Sequence, residues 1–308
     1  MQYTNINNLP GILVRALMSD GYSKNSKYSV TQLIKSPQSV VLEQRHRNEI
    51  TTDVSESLWR FLGSAVHDFL QKGESESDIT EERLVYLTPN GISVSGQFDC
   101  FDGAEGILYD FKVTSVYRVM HADYEDFRTQ LLVYAWMLNR IGFEVRHIRN
   151  ILILRDWNNS HSATAQCPLL VLDHDLDTKI EGLPVSDWIN AKVDAIEQAS
   201  SLPNEELPAC TDKFRWSQAD EYKVYWNEST AKMPRSMKNF TDGNEAVEYA
   251  RYMERESKGK KTFRVDLVEG NKFKRCEYCK AAPFCAQYLP AREVLLKQKE
   301  AQSAGVVA

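Results

Sequence analysis

Hydrophobic and polar positions along this chain follow two distinct periods. From Val54 to Gln71, Leu58, Phe61, Leu62, Ala65, Val66, Phe69 and Leu70 recur at helical spacing and predict an amphipathic helix. Beyond it, short apolar and alternating runs predict strands at about 83–88, 92–101 and 106–113. Helical period returns at about 122–140, and VRHIRNILILR at about 145–155 predicts another strand. The order is αβββαβ, an α/β class with helices flanking a mixed central sheet. A helix over Pro184–Ala199 ends in the polar run SSLPNEELP. A YKVYW strand, a helix over Asn244–Lys258 and a TFRVDLV strand then form a smaller α/β group. The pattern predicts a loosely ordered segment at 1–27, a core at 28–206, a module at 207–290 and a frayed tail at 291–308.

Composition narrows the function classes. A chain of 308 residues with 43% apolar content can bury one substantial core plus an appendage. No apolar run approaches a membrane-spanning helix. The net charge of −6 does not advertise nucleic-acid binding, but a cleft can concentrate bases locally. Two basic clusters exist, Lys258-Gly-Lys-Lys261 and Lys272-Phe-Lys-Arg275, and the second adjoins a cysteine triplet where a DNA backbone contact is expected. No apolar targeting segment opens the chain, which predicts the cytoplasm of a bacterium or a phage-infected host. No GxxxxGK[ST] loop is present, so an ATP-driven partner must be a separate chain.

The richest chemistry lies between Asp99 and Lys112. Two strand-like runs, GQFDCF and GILYDFKV, bring Asp99, Asp110 and Lys112 together across a hairpin. Residues two apart on a strand share a face, so Asp110 and Lys112 point to one site while Phe111 points away and offers its backbone carbonyl. Carboxylates are hard oxygen ligands suited to Mg2+ or Mn2+. On the upstream helix Gly63 and His67 lie four apart on one face, and so do Gln130 and Tyr134 on the later helix. Glu82 opens the run RLVYL.

The ordered set Gly63–His67, Glu82, Gly96–Asp99, Asp110–Lys112 and Gln130–Tyr134 resembles the RecB-like branch of the PD-(D/E)XK nuclease superfamily, over roughly residues 28–155. That branch includes the nuclease domains of RecB and AddB, CRISPR-associated RecB-like exonucleases and many phage exonucleases. The resemblance implies a restriction-endonuclease-like core and a metal-dependent DNA exonuclease active in recombination, repair or replication. It implies a metal held by His67, Asp99, Asp110 and the Phe111 carbonyl. The imidazole would bias that site toward manganese. Lys112 would activate water, Glu82 would hold a second metal through water, and Gln130 and Tyr134 would position the DNA backbone. Expected partners are DNA, a separate helicase or single-strand annealing protein, and further copies of the chain. The alternative is a non-cleaving nuclease-fold DNA-binding or recombination scaffold with a structural metal site.

Cys276, Cys279 and Cys285 have the spacing C-x2-C-x5-C. Three thiols within ten residues suit a disulfide, zinc or an iron–sulfur cluster. A reducing compartment disfavours the disulfide. The same family often carries a four-iron cluster on this triplet, with a fourth cysteine before an N-terminal proline. Here Ser36 stands before Pro37, and no cysteine precedes Cys100. Cys210 is the expected substitute. Cys100 should point into packing behind Asp99, and Cys167 should be a free thiol in a polar stretch.

Overall fold

The computed structural model describes residues 2–18, 26–228 and 235–305, with side chains described up to residue 297. It is a mixed α/β structure that divides into two compact units, Met1–Pro208 and Ala209–Ala308. Among the described residues no helix is long and apolar enough to cross a membrane.

The first unit begins with β1 (Gln2–Thr4) and α1 (Gly11–Met18). This corrects the expectation of a loose N-terminal segment. β1 pairs in parallel with β3, and Leu17 on α1 is buried. Residues 19–25 of that segment lie outside the described residues. β2 (Tyr28–Ser29) runs into α2 (Val30–Leu33), where Ser29 and Gln32 form a reciprocal cap. Ser36 precedes Pro37 at the start of α3 (Pro37–Arg45), where proline suits the first helical turn. β3 (Thr51–Asp53) then leads to α4 (Leu58–Leu70).

The sheets follow. β4 (Asp78–Thr80), β5 (Arg83–Leu87), β6 (Ser93–Gln97), β7 (Cys100–Asp102) and β8 (Ile107–Thr114) precede α5 (Val116–His121), α6 (Glu125–Arg140) and β9 (His147–Leu154). β10 (Leu169–His174), β11 (Lys179–Ile180), β12 (Leu183–Pro184) and α7 (Val185–Ser200) close the unit. A five-stranded sheet has the order β10-β9-β8-β7-β4, and a three-stranded sheet the order β2-β6-β5. β8 and β9 are parallel, joined by the α5–α6 crossover, while β7–β8 and β9–β10 are antiparallel.

The single strand expected at 92–101 is two strands in two sheets. β6 belongs to the three-stranded sheet, β7 to the five-stranded one, and Asp99 sits at the bend between them. The chain makes the mirror-image passage from β4 to β5 at Glu81, whose φ is +53°. The two crossings bond each other: the Glu81 N–H donates to the Asp99 carbonyl at 3.1 Å, and the Phe98 N–H to the Glu82 carbonyl at 3.3 Å.

α6 is the core helix. It has Glu125 and Asp126 in its first turn and Arg140 in its last, which complement the helix dipole. Leu131, Leu132, Val133, Tyr134, Ala135, Met137 and Leu138 are buried on it. The expected helix over 122–140 begins at Glu125, because Ala122 takes a left-handed conformation that ends the preceding α5. α4 departs further from expectation. Despite its apolar stripe it contains no buried residue, and Leu58, Phe61, Phe69 and Leu70 are exposed.

In the second unit α8 (Asp212–Arg215) precedes β13 (Glu221–Trp226), β14 (Lys238–Phe240), α9 (Gly243–Glu256) and β15 (Phe263–Val268). The strands form an antiparallel sheet of order β14-β13-β15. Val224, Ala246, Ala250 and Phe263 form its core with α9. α10 (Leu289–Gly305) replaces the expected frayed tail.

Gly96 on β6 lies against the Tyr134 ring. A methyl group there would overlap the ring and come within 2.9 Å of Val30 Cγ2. Gly96→Ala is therefore expected to destabilise the protein by about 1–3 kcal/mol, measured as a lowered urea midpoint at unchanged m-value.

Candidate metal centre

The seam between the two sheets gathers the acidic groups. One ligand atom each from His67, Glu81 and Asp99 lies within 4.8 Å of the others. His67 Nδ1 is 2.9 Å from Glu81 Oε1 and 3.6 Å from Asp99 Oδ1. Glu81 is held in turn: Gln97 Nε2 donates to its Oε2 at 2.7 Å, and Arg83 Nη2 donates to Gln97 Oε1 at 2.9 Å. Asp99 is fixed by the edge of β8. Pairing of β7 with β8 stops at Cys100–Tyr109, and the Phe111 N–H donates to Asp99 Oδ2 at 2.6 Å.

Asp110 and Lys112 share a face of β8, as their spacing requires. Lys112 Nζ is 2.5 Å from Asp110 Oδ1, and Asn150 Nδ2 donates to Asp110 Oδ2 at 2.6 Å. Asp110 is buried, its carboxylate is held by these two donors, and it is an electrostatic neighbour of Asp99 beside the His67, Glu81 and Asp99 group.

Two clefts open on either side of His67 and Asp99. One, of about 470 Å³, is lined by Lys112, Gln130, Tyr134, Arg83 and Gln97 as well as these two residues. Gln130 Nε2 donates to the Tyr134 hydroxyl at 3.1 Å on its wall. The other, of about 420 Å³, carries Asp78, Glu81, Asp102, Tyr109 and Phe111. The Phe111 ring packs edge-on to His67, so it lines a cleft instead of pointing away. Cys100 is half-buried on the same wall rather than enclosed in packing.

Glu82 is a correction. Its side chain is exposed and lines neither cleft, while its neighbour Glu81 occupies the position expected of it. Glu81 has a left-handed backbone between β4 and β5 and its side chain meets His67, a turn that the run RLVYL does not announce. Around Gly63 the structure is open, with no atom within 4 Å of where its Cβ would stand.

The electrostatics are those of a site short of positive charge. Burial, then repulsion from Asp110, pushes the Asp99 carboxyl up to about 7. The Glu81 hydrogen bond raises His67 above its ordinary value against the opposing effect of burial. Three carboxylates facing one lysine and one titrating imidazole form a donor set that fits a divalent cation.

The second unit assembles its thiols. Burial, then the neighbouring Cys210, Cys279 and Cys285, push the Cys276 thiol up to about 12. Cys210 is clamped to the triplet region through Gln287. Its N–H donates to Gln287 Oε1 at 2.9 Å, and Gln287 Nε2 donates to its carbonyl at 3.1 Å. Arg215 Nε adds a bond to the same carbonyl at 3.2 Å. Thiols gathered around Cys276 would suit a metal or cluster that takes thiolate ligands. Ser36 belongs to the first unit, and Cys167 is exposed, with its thiol donating to the Leu169 carbonyl.

No protein-family model and no curated protein matches the chain. A solved structure titled "Crystal structure of SSO0001" is similar over 63% of this chain and 89% of that one, at 17% identity and a TM-score of 0.44.

The Asp99 shift sets a pH dependence. A carboxyl raised from 3.8 to about 7 binds its proton more tightly in the folded protein. Its contribution to stability therefore falls as pH rises from about 4 through 7. In metal-free buffer Asp99→Asn should be more stable than wild type at pH 8, by roughly 1–3 kcal/mol, and no more stable at pH 4. Thermal melts at the two pH values check this.

Proposed function

We propose that this chain is a metal-dependent deoxyribonuclease of the RecB-like, restriction-endonuclease-like type, acting as a DNA exonuclease in recombination, repair or replication. The observation that carries the reading is the convergence of His67, Glu81 and Asp99 beside the Asp110–Lys112 pair at the edge of an open cleft.

His67 and Asp99 would hold Mg2+ or Mn2+, with Glu81 on one flank and Asp110 on the other. The ion would supply Lewis acidity to a phosphate and lower the pKa of bound water. Lys112 lines the cleft, where its ammonium can stabilise charge developing on the scissile phosphate and exchange a proton with the attacking water. Gln130 and Tyr134 offer donors on the same wall to orient the DNA backbone. Glu81 takes the role that the sequence pattern had pointed to at Glu82. Cys210, Cys276, Cys279 and Cys285 would ligate a four-iron cluster, with zinc the alternative, that pins the second unit structurally. The Gln287 hydrogen bonds to the Cys210 backbone support this reading.

End-labelled linear and circular DNA should be digested with Mg2+ or Mn2+, the linear form preferentially. Asp110→Asn and Lys112→Ala should each lower the cleavage rate by roughly 100-fold or more while circular dichroism stays unchanged. A rate near wild type in either variant removes the assignment.

Anaerobically purified protein should be brown and contain iron and sulfide. Cys210→Ser should lose the cluster and thermal stability together and make the second unit protease-sensitive. Elemental analysis that finds one zinc and no iron assigns the site to zinc.

A further inference from the structure

The fully buried amide of Asn150 has no apparent place in an apolar strand. β9 buries Ile148, Asn150, Leu152 and Leu154 along one face, and a leucine at 150 would continue that series. An amide in such a position is costly unless both of its ends are hydrogen-bonded. Both are. Nδ2 donates to Asp110 Oδ2 at 2.6 Å, and Oδ1 lies 2.7 Å from His174 Nε2.

The direction of the chain follows from Asp110. Its other oxygen carries the Lys112 ammonium, so its carboxylate is an acceptor, and the atom facing Oδ2 must be the amide nitrogen. Asn150 Oδ1 therefore faces His174, and His174 must carry its hydrogen on Nε2. The imidazole orients the amide, and the amide orients the carboxylate. Cross-strand register places Asn150 directly opposite Asp110, which removes slack from the link. His174 reaches it from β10, the next strand of the sheet.

We propose that Asn150, oriented by His174, is a positioning residue that presents the Asp110 carboxylate to the catalytic cation. The inference rests on the reading of Asp110 as a residue of that metal centre. A carboxylate has about four lone-pair sites. Lys112 and Asn150 take one on each oxygen and fix its plane, leaving the remaining sites for coordination. Groups that orient a metal ligand in this way typically contribute 10–100-fold to affinity or activity.

The test is calorimetric titration of the full-length protein with Mn2+, together with kcat and KM on linear DNA. Asn150→Leu, which keeps the branched shape of asparagine without its hydrogen bonds, should raise the half-saturating Mn2+ concentration by roughly 10–100-fold and lower kcat, with KM for DNA unchanged. His174→Leu should shift the Mn2+ midpoint in the same direction. His174→Gln, whose amide can donate to Asn150, should restore it toward wild type. If Asn150→Leu fails to fold, the two His174 variants decide: equal midpoints for both overturn the proposal. An Mn2+ midpoint that moves in Asp110→Asn but not in Asn150→Leu overturns the positioning role alone. A wild-type protein that takes up no Mn2+ overturns the metal-centre reading and this inference with it.

Discussion

The rest of the site depends on the seam where the chain changes sheets twice. At Glu81 and again at Asp99 the backbone leaves one sheet for the other, and the two crossings are bonded together. A strand side chain normally points to one face or the other. A residue at a crossing is released from that alternation and can be aimed along the edge of the neighbouring strand. Asp99 uses this freedom to accept the Phe111 N–H, which brings it beside Asp110 without being paired to it. The left-handed backbone of Glu81 is uncommon for a residue with a side chain. The hydrogen bonds on either side of it hold that conformation in place.

The seam concentrates negative charge where burial makes charge expensive. Lys112 and Asn150 stabilise Asp110, but the Asp99 carboxyl is left pushed up toward neutrality. Such a concentration of carboxylates in a cleft is the electrostatic setting in which perturbed groups gather. In the second unit burial and the neighbouring thiols likewise make ionisation of Cys276 costly.

Much of this was legible in the sequence. β8, β9, α6 and α7 stand where period and punctuation place them, and Asp110, Lys112, Gln130 and Tyr134 fall on the faces their spacing requires. The remote thiol Cys210 also lies near its triplet. The errors share physical causes. At the left-handed residue before β5 it is Glu81, and not Glu82, that meets His67. A bend hidden inside an apparently continuous strand concealed the two-sheet arrangement around Asp99. β10 and its His174 follow a Ser/Ala/Thr-rich stretch that carries no strand signal. Asn150 did leave a signal, a lone amide amid NILIL, but its meaning needs the register with Asp110.

Among the groups at the metal centre, His67 alone is carried by an element that buries nothing. Asp99, Asp110 and Lys112 are tied to strands within the sheets, whereas α4 has no buried side chain. Local opening free energy scales with the contacts an element must surrender. α4 can therefore detach at a cost well below that of global unfolding, taking the imidazole with it and leaving the carboxylates in register. The site is thus built as a rigid anvil and a separable jaw. Amide exchange of α4 against β8 and β9 would reveal the timescale on which the jaw opens.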